Sequence, residues 1–270
     1  MDIPISRAIA PSIMNAFMYS RIEREIYQHL FKWILNLSTD SLTMRIATNT
    51  PIDKILSGGV EDDAITNFYG PAGSGKTNVA ICSAIAAVKA GKRVIYVDTE
   101  GSFSGERFVQ LGGNDEILKS ILFVEPTSWK QQHAEIQRLE KSAEGAGLII
   151  VDSMVTLYRL ELSDDNFHLV NRQLATQYSV LCKIARTMKI PVIITNQVYS
   201  MRDGNTERVE LTSRTISKYW SRALIELKKT EASGHRIAIV RKHRSIAEGK
   251  SVEFEIKEKE LKEVKLLGIL

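Results

Sequence analysis

The chain has 270 residues, 44% hydrophobic and 25% charged, with a formal net charge of +4, which is the profile of a soluble globular protein able to bury a core. No run reaches the roughly 18 to 20 apolar residues needed to cross a bilayer, and Arg21, Glu23, Arg24 and Glu25 interrupt anything resembling a signal peptide. Cys82 and Cys182 fall in helix-like segments without metal spacing, so a reducing, cytoplasmic setting is expected, with no membrane partner.

In chain order, the first predicted element is an amphipathic helix over residues 12–37, with Met18, Ile22, Ile26, Leu30 and Ile34 at intervals of four. Such a helix packs on the core or on a partner subunit. A polar connector, Ser38 to Thr50, follows. Everything that carries chemistry lies downstream of Met44, so residues 1–43 are expected to be an optional N-terminal extension and residues 44–270 the core domain. Thr50 to Gly59 reads as a short helix with Thr50 as N-cap, Pro51 at the first position and Gly58 at a left-handed stop.

From Ala64 onward, strands alternate with helices. The run Ala64 to Tyr69 predicts a strand, and Asn78 to Ala90 predicts a helix that Gly91 can cap. Further strand runs are Val94–Val97, Ile121–Val124, Leu148–Val151 and Val192–Thr195, with helices over about 105–111, 130–144 and 167–188 between them. Continuous apolar strands separated by helices indicate an α/β fold: a mostly parallel twisted sheet covered on both faces. After residue 200 come strand candidates without long helices, Ala223–Leu227, Arg236–Val240 and Ser251–Ile256, expected to extend the sheet as antiparallel or edge strands.

Between the first strand and its helix stands Gly70-Pro71-Ala72-Gly73-Ser74-Gly75-Lys76-Thr77, a complete G-x-x-x-x-G-K-[ST] phosphate loop in strand–loop–helix context. Its glycines let backbone N–H groups wrap a phosphate, and the helix N-terminus at Asn78 adds partial positive charge. Lys76 is expected to reach the β- and γ-phosphates and Thr77 to ligate magnesium. In a doubly wound sheet, ligands gather beyond the carboxyl ends of the strands. One strand ends at Asp152, a candidate magnesium-side carboxylate. Another ends at Asp98-Thr99-Glu100, where a carboxylate would orient and deprotonate an attacking water. A third ends at Asn196-Gln197, where an amide could sense the γ-phosphate, although by itself the pair reads better as a plain turn.

These residues, together with Glu106-Arg107, Leu157-Tyr158-Arg159 and Ile194 to Val198, resemble in order and spacing the RecA-type recombinases. The likeness is greatest to the archaeal RadB branch, which has the ATPase core without the helical N-terminal domain, and it covers about residues 44–260. The resemblance implies a RecA-like P-loop NTPase core with ATP and magnesium as cofactors. Glu100 would be the residue that activates water, Arg107 the arginine that stacks on adenine, and Gln197 the γ-phosphate sensor. The implied partners are single- or double-stranded DNA and the main archaeal recombinase, with self-association left open and a nucleoid-associated location. DNA-facing loops would lie at about Ser163–His168 and Tyr199–Ser213.

The departures from that family are informative. The first loop reads Ser163-Asp164-Asp165-Asn166, acidic where active recombinases carry arginine. The second has only Arg202 and Arg208 as cations, which puts efficient strand exchange in doubt. Residues 201–250 hold twelve Lys or Arg against six Asp or Glu, so this window is +6 and the remainder −2. Candidate DNA contacts are therefore Arg202, Arg208, Arg214, Arg241, Lys242 and Arg244, with Lys218 and Arg222 nearby, although a solvated face looks similar. The expected function is an ATP-binding, weakly ATP-hydrolysing DNA-binding protein of homologous recombination, acting as a mediator. Two other readings stay open: a RecA-like signalling ATPase or kinase without DNA binding, and a nucleotide-gated docking module.

Overall fold

A computed structural model describes residues 44–203, 206–211 and 214–264, giving the backbone alone for those between 199 and 214. The helix expected over residues 12–37 lies outside the described residues. Those described belong to one compact unit that begins at Met44.

The polar connector ends in a short strand, β1 (Arg45–Ile46), antiparallel to β2 (Val60–Glu61). Between them, Pro51–Lys54 forms one 3-10 turn whose start is held by the Thr50 hydroxyl, which accepts from Ile52 N–H at 3.3 Å. The left-handed stop comes one residue earlier than expected, at Ser57, and continues through Gly58 and Gly59.

The main sheet is built from β3 (Ile65–Gly70), β4 (Arg93–Asp98), β5 (Ile121–Val124), β6 (Ala146–Asp152), β7 (Val192–Asp203), β9 (Ala223–Lys229), β10 (His235–Lys242), β11 (Ser251–Ile256) and β12 (Leu261–Glu263). Their order is β12-β11-β10-β9-β3-β7-β6-β4-β5, and β8 (Thr206–Leu211) pairs with the far end of β7. From β9 to β5 every neighbouring pair is parallel. β9 is therefore not the antiparallel or edge strand that was expected. It runs parallel against β3, and the antiparallel extension begins only at β10.

The apolar strand runs are continuous because both faces of the sheet are covered. Leu148, Ile150 and Ile193 face the cluster around helix α1 (Lys76–Lys89). Ile149, Val151, Val192 and Ile194 face the opposite cluster under α4 (Trp129–Ser142) and α6 (Phe167–Met188). Helix α1 ends as its sequence predicts. Gly91 adopts φ +75° and donates to Val88 O at 2.8 Å, while Lys92 N–H reaches Ala87 O at 3.0 Å. That pair of bonds is a Schellman stop. Three short helices, α2 (Gly105–Gln110), α3 (Asp115–Leu118) and α5 (Thr156–Glu161), sit in the connections, and α7 (Arg214–Trp220) precedes β9.

Candidate active site

Strand register assembles the site. Gly70, the last residue of β3, lies beside Gln197 of β7, and Asp98 of β4 lies beside Asp152 of β6. The four predicted strand ends therefore converge on one edge, with the phosphate loop leaving from its middle. Gly73 (φ +71°) and Gly75 (φ +100°) adopt left-handed conformations that side-chain-bearing residues avoid. A Cβ on Gly70 would fall 2.1 Å from the Leu227 carbonyl oxygen, so only glycine fits there.

Helix α1 begins at Lys76 with Gly75 as its N-cap, without a side-chain cap and without an acidic residue in its first turn. Its first N–H groups and dipole thus face outward uncompensated, the arrangement an anion completes. Within the same loop the buried Ser74 hydroxyl has no hydrogen-bond partner among the described residues. These features fit a polyphosphate.

Lys76 is buried, and its ammonium donates to Gly70 O and Pro71 O, each at 3.0 Å. Burial pulls its pKa below the ordinary lysine value, against the opposing pull of the Asp152 and Glu100 carboxylates. Asp152 is fully enclosed. It accepts from Tyr96 at 3.0 Å, from Thr77 and Thr195, and more weakly from Ser102 at 3.4 Å. Burial raises its pKa despite those donors. The two residues expected on the magnesium side, Thr77 and Asp152, are thus in contact. One hydroxyl and one carboxylate suit a hard cation that keeps most of its water and takes its other ligands from phosphate.

The Asp98-Thr99-Glu100 run divides its work. Asp98 caps the turn, accepting from the N–H groups of Glu100, Ser102 and Phe103 at 3.1, 3.2 and 2.9 Å. Glu100 faces the site. Its Oε1 accepts from Ser153 Oγ at 2.8 Å, Thr156 Oγ1 at 2.5 Å and Gln197 Nε2 at 3.2 Å. The carboxylate expected to activate water and the amide expected to sense the γ-phosphate are therefore hydrogen-bonded to each other. Arg107 lies at the rim. Its guanidinium donates to Asn78 Oδ1 (2.6 Å), Gln110 Oε1 (3.0 Å), Glu258 O (2.6 Å) and Lys257 O (2.9 Å). These bonds along its edge fix the orientation of the guanidinium plane.

Some site residues were not anticipated. Ser153 and Thr156 orient Glu100, and Tyr96 and Thr195 anchor Asp152. From β9 and β10, Lys229 and Arg236 reach the outer side of the phosphate loop. Arg236 Nε donates to Gly73 O at 2.9 Å, and Lys229 Nζ would lie 3.1 Å from a Cβ on Gly73. Lys228-Lys229 at the end of an apolar run was a usable signal only once β9 was known to run parallel to β3.

A family model for Rad51 matches residues 40–264, which span the phosphate loop, Glu100, Asp152 and Gln197. The chain belongs to the Rad51 family. It is 39% identical over 222 residues to a Methanobrevibacter smithii protein described as DNA repair and recombination protein RadB, a match that covers 80% of this chain and 94% of that one. It is 40% identical over 225 residues to the Methanosphaera stadtmanae protein of the same description, covering 82% and 96%. Among solved structures, a crystal structure of the RadB recombinase superposes with a TM-score of 0.70 at 34% identity, covering 82% of this chain and all of that one. Proteins of the Rad51 family bind nucleotide together with magnesium in general, and the fold here is the RecA-like fold of that family.

Two expectations about nucleic-acid loops change in this Rad51-family chain. Within the expected loop Tyr199–Ser213, the described residues form strand. β7 runs on to Asp203 and pairs antiparallel with β8, Val198 opposite Leu211 and Asp203 opposite Thr206. Arg202 lies opposite Glu207 and Arg208 opposite Met201, on neighbouring rungs of this ribbon. The signal missed was the pair Gly204-Asn205, which as sequence reads as a turn between two alternating runs.

The candidate cations also divide into two groups. Arg202 and Arg208 belong to the ribbon at the carboxyl edge, whereas Lys242 pairs with Leu224 at the start of β9, at the amino edge of the parallel strands. Arg214 opens α7. Arg241 pairs with Glu226 at 2.6 Å. Lys242 Nζ donates to the carbonyls of Lys218 and Ser221, and burial, with the charges of Arg222 and Lys218 beside it, lowers its pKa. Arg244 forms a two-pronged bond to Asp63 (2.8 and 3.1 Å) and a third to the buried Glu61 (2.9 Å). It is committed to holding β2, which sequence alone did not suggest.

Proposed function

We propose that this protein is an ATP-binding, slowly ATP-hydrolysing, DNA-binding protein of DNA repair and homologous recombination that acts as a mediator of the cell's main recombinase. The observation that carries this reading is the Glu100–Gln197 hydrogen bond, because Gln197 is also the last core residue before the β7–β8 ribbon. A change at the nucleotide thus has a direct covalent route into the ribbon that bears the candidate DNA contacts Arg202 and Arg208. The names of the curated relatives point the same way.

In the hydrolytic step Glu100 takes a proton from a water whose oxygen forms the new bond to the γ-phosphorus. The bond to the β–γ bridging oxygen breaks, and ADP and phosphate leave. Ser153 and Thr156 hold the Glu100 carboxylate in position. Lys76 exchanges its two loop carbonyls for phosphate oxygens and balances charge as it develops. Thr77 and Asp152 would hold magnesium, which supplies charge neutralisation to the β- and γ-phosphates. Arg107 would stack on the base. Hydrolysis is slow because Glu100 must exchange its bond with Gln197 for one with water, and because, among the described cations around the loop, Lys229 and Arg236 reach its outer side.

The test is binding of a labelled single-stranded oligonucleotide by fluorescence anisotropy across a salt series, with and without magnesium-ATP. A log–log slope steeper than about −2 corresponds to three or more neutralised phosphates at roughly −0.7 each. ATP should shift the affinity, and Gln197→Ala should abolish that shift while nucleotide binding persists. Glu100→Gln should retain ATP binding and lower turnover about 10²- to 10⁴-fold. ATP binding without any DNA binding at low salt would point instead to a signalling ATPase or a docking module.

A further inference from the structure

The turn between α5 and α6 occupies the position where relatives are expected to present a DNA-facing loop, yet its surface has the wrong chemistry for phosphate. Leu160 is 80% exposed, Leu162 36%, Phe167 50% and Leu169 49%. A single exposed leucine requires no explanation, but four large apolar side chains within ten residues do. Among them lie Glu161, Asp164 and Asp165, all exposed and none in an ion pair with a described residue. No lysine or arginine falls between Leu160 and Leu169; Arg159 and Arg172 stand outside the segment, at its two ends.

The turn is nevertheless ordered by its own bonds. Asn166 Oδ1 accepts from Ser163 N–H at 2.9 Å, and its Nδ2 donates to Glu161 O at 2.8 Å. Tyr158 OH ties α5 to Asn171 of α6 at 2.9 Å, and Asn171 Nδ2 returns to Phe167 O at 2.9 Å. Leu157, Tyr158, Val170 and Leu174 anchor both helices in the core beneath. His168 packs edge-on against Phe167 at a centroid distance of 5.5 Å. The segment holds its shape before anything binds, which lowers the ordering cost of an encounter.

We propose that Leu160–Leu169 is a docking surface for a cationic amphipathic segment of a protein partner. Apolar anchors of that segment would cover Leu160, Leu162, Phe167 and Leu169, and its lysines or arginines would meet Glu161, Asp164 and Asp165. Nucleic acid is disfavoured, because three carboxylates would face its phosphates.

The experiment uses the full chain and a fluorescein-labelled 18-residue helical peptide made of leucine on one face and lysine on the other, followed by anisotropy. A version with glutamate in place of lysine is the charge control, and a single-stranded oligonucleotide is the competitor. The lysine peptide should bind and the glutamate peptide should not. The pair Leu160→Ser with Phe167→Ser, and separately Asp164→Lys with Asp165→Lys, should each weaken the lysine peptide at least tenfold. Because all four positions are exposed, melting temperature and ATP binding should stay at the parent values, which separates lost docking from lost folding. Three outcomes overturn the proposal. The substitutions leave peptide affinity unchanged; or the oligonucleotide protects Leu160 and Phe167 from hydroxyl-radical labelling, making this a DNA loop; or the Leu160/Phe167 pair changes the sedimentation of the chain alone, making the occupant a second copy.

Discussion

Tyr178 sits at a polar knot inside an otherwise apolar layer. Its hydroxyl exchanges a 2.9 Å hydrogen bond with Ser217 of α7 and accepts from Asn196 of β7 at 3.1 Å. These bonds join the strand that carries Gln197 to the helix that follows the ribbon. Burial lifts the phenol from its ordinary 10.0 to about 12, although the Ser217 and Asn196 bonds work in the opposite direction. A folded-state pKa above the unfolded value means that this group's stabilisation is complete below pH 10 and is lost as pH climbs toward 12. The loss is at most about 1.4 kcal/mol per pH unit while only the folded form keeps the proton. Tyr178→Phe should cost about 1–3 kcal/mol at neutral pH by taking from the buried Asn196 amide its 3.1 Å acceptor, which leaves that amide the longer 3.5 Å bond to Ser217. It should also flatten part of the fall in urea midpoint between pH 10 and 11.5. Cys82, which burial also raises to about 12, and Tyr96 keep the remainder. An unchanged alkaline slope in the variant would mean that Tyr178 titrates as if exposed.

At the level of elements, the end of β10 separates Arg244, committed to buried ion pairs, from Lys242, the residue there that the proposed DNA binding would use. Arg244 neutralises Glu61, which is only 3% exposed, and braces β2 through Asp63. Removing one partner of a buried pair costs about 3–5 kcal/mol, and Arg45 at 3.5 Å from Glu61 softens that. Arg244→Ala should therefore lower the urea midpoint by an amount equivalent to about 3 kcal/mol, whereas Lys242→Ala should cost under about 1 kcal/mol and weaken DNA binding instead. Equal destabilisation by both would remove the distinction. This division was not legible in Arg241-Lys242-His243-Arg244 as a string of basic residues. What separates them is Glu61 and Asp63, some 180 residues earlier, brought close by a strand pair too short to signal itself. The strands of the main sheet were legible because burial on both faces writes an uninterrupted apolar run, and Ile121–Val124 appears with its predicted ends. The β7–β8 ribbon was not, since past Val198 its backbone pairs only with itself and no apolar run marks it. The phosphate loop was readable because eight consecutive residues carry it. The Glu100–Gln197 bond joins residues 97 apart, and only the strand order brings them together.

At the largest scale, the candidate DNA contacts fall in two places at opposite ends of the parallel strands. Only the set at the amino edge is a net-positive cluster, because Asp203, Glu207 and Glu210 accompany Arg202 and Arg208 in the ribbon. Six-residue strands such as β3 put these edges about 20 Å apart. The ribbon bearing Arg202 and Arg208 emerges at the carboxyl edge, directly beyond Gln197. Lys218, Arg222 and Lys242 cluster at the amino edge, where burial first and the charges of Arg222 and Lys218 second lower the pKa of Lys242. Like charges held together in this way favour a polyanion, because phosphate relieves their mutual repulsion. The ribbon joins the γ-phosphate side of the site through Gln197, whereas Lys242 lies at the far end of β10 from Arg236, which touches the outer side of the phosphate loop. Two different losses follow for the single-strand binding titration. Replacing Arg202 and Arg208 by alanine should leave the affinity without nucleotide within about threefold and remove most of the shift that magnesium-ATP produces. Replacing Lys218, Arg222 and Lys242 by alanine should weaken binding with and without ATP by the same factor, and reduce the salt slope by about 2, at roughly 0.7 per phosphate contact. The ratio of affinities with and without ATP would then be unchanged in the second variant and close to one in the first. If the amino-edge variant lost the ATP response instead, coupling would have to pass through the body of the sheet, and the Tyr178 knot between β7 and α7 would be the first place to look for it.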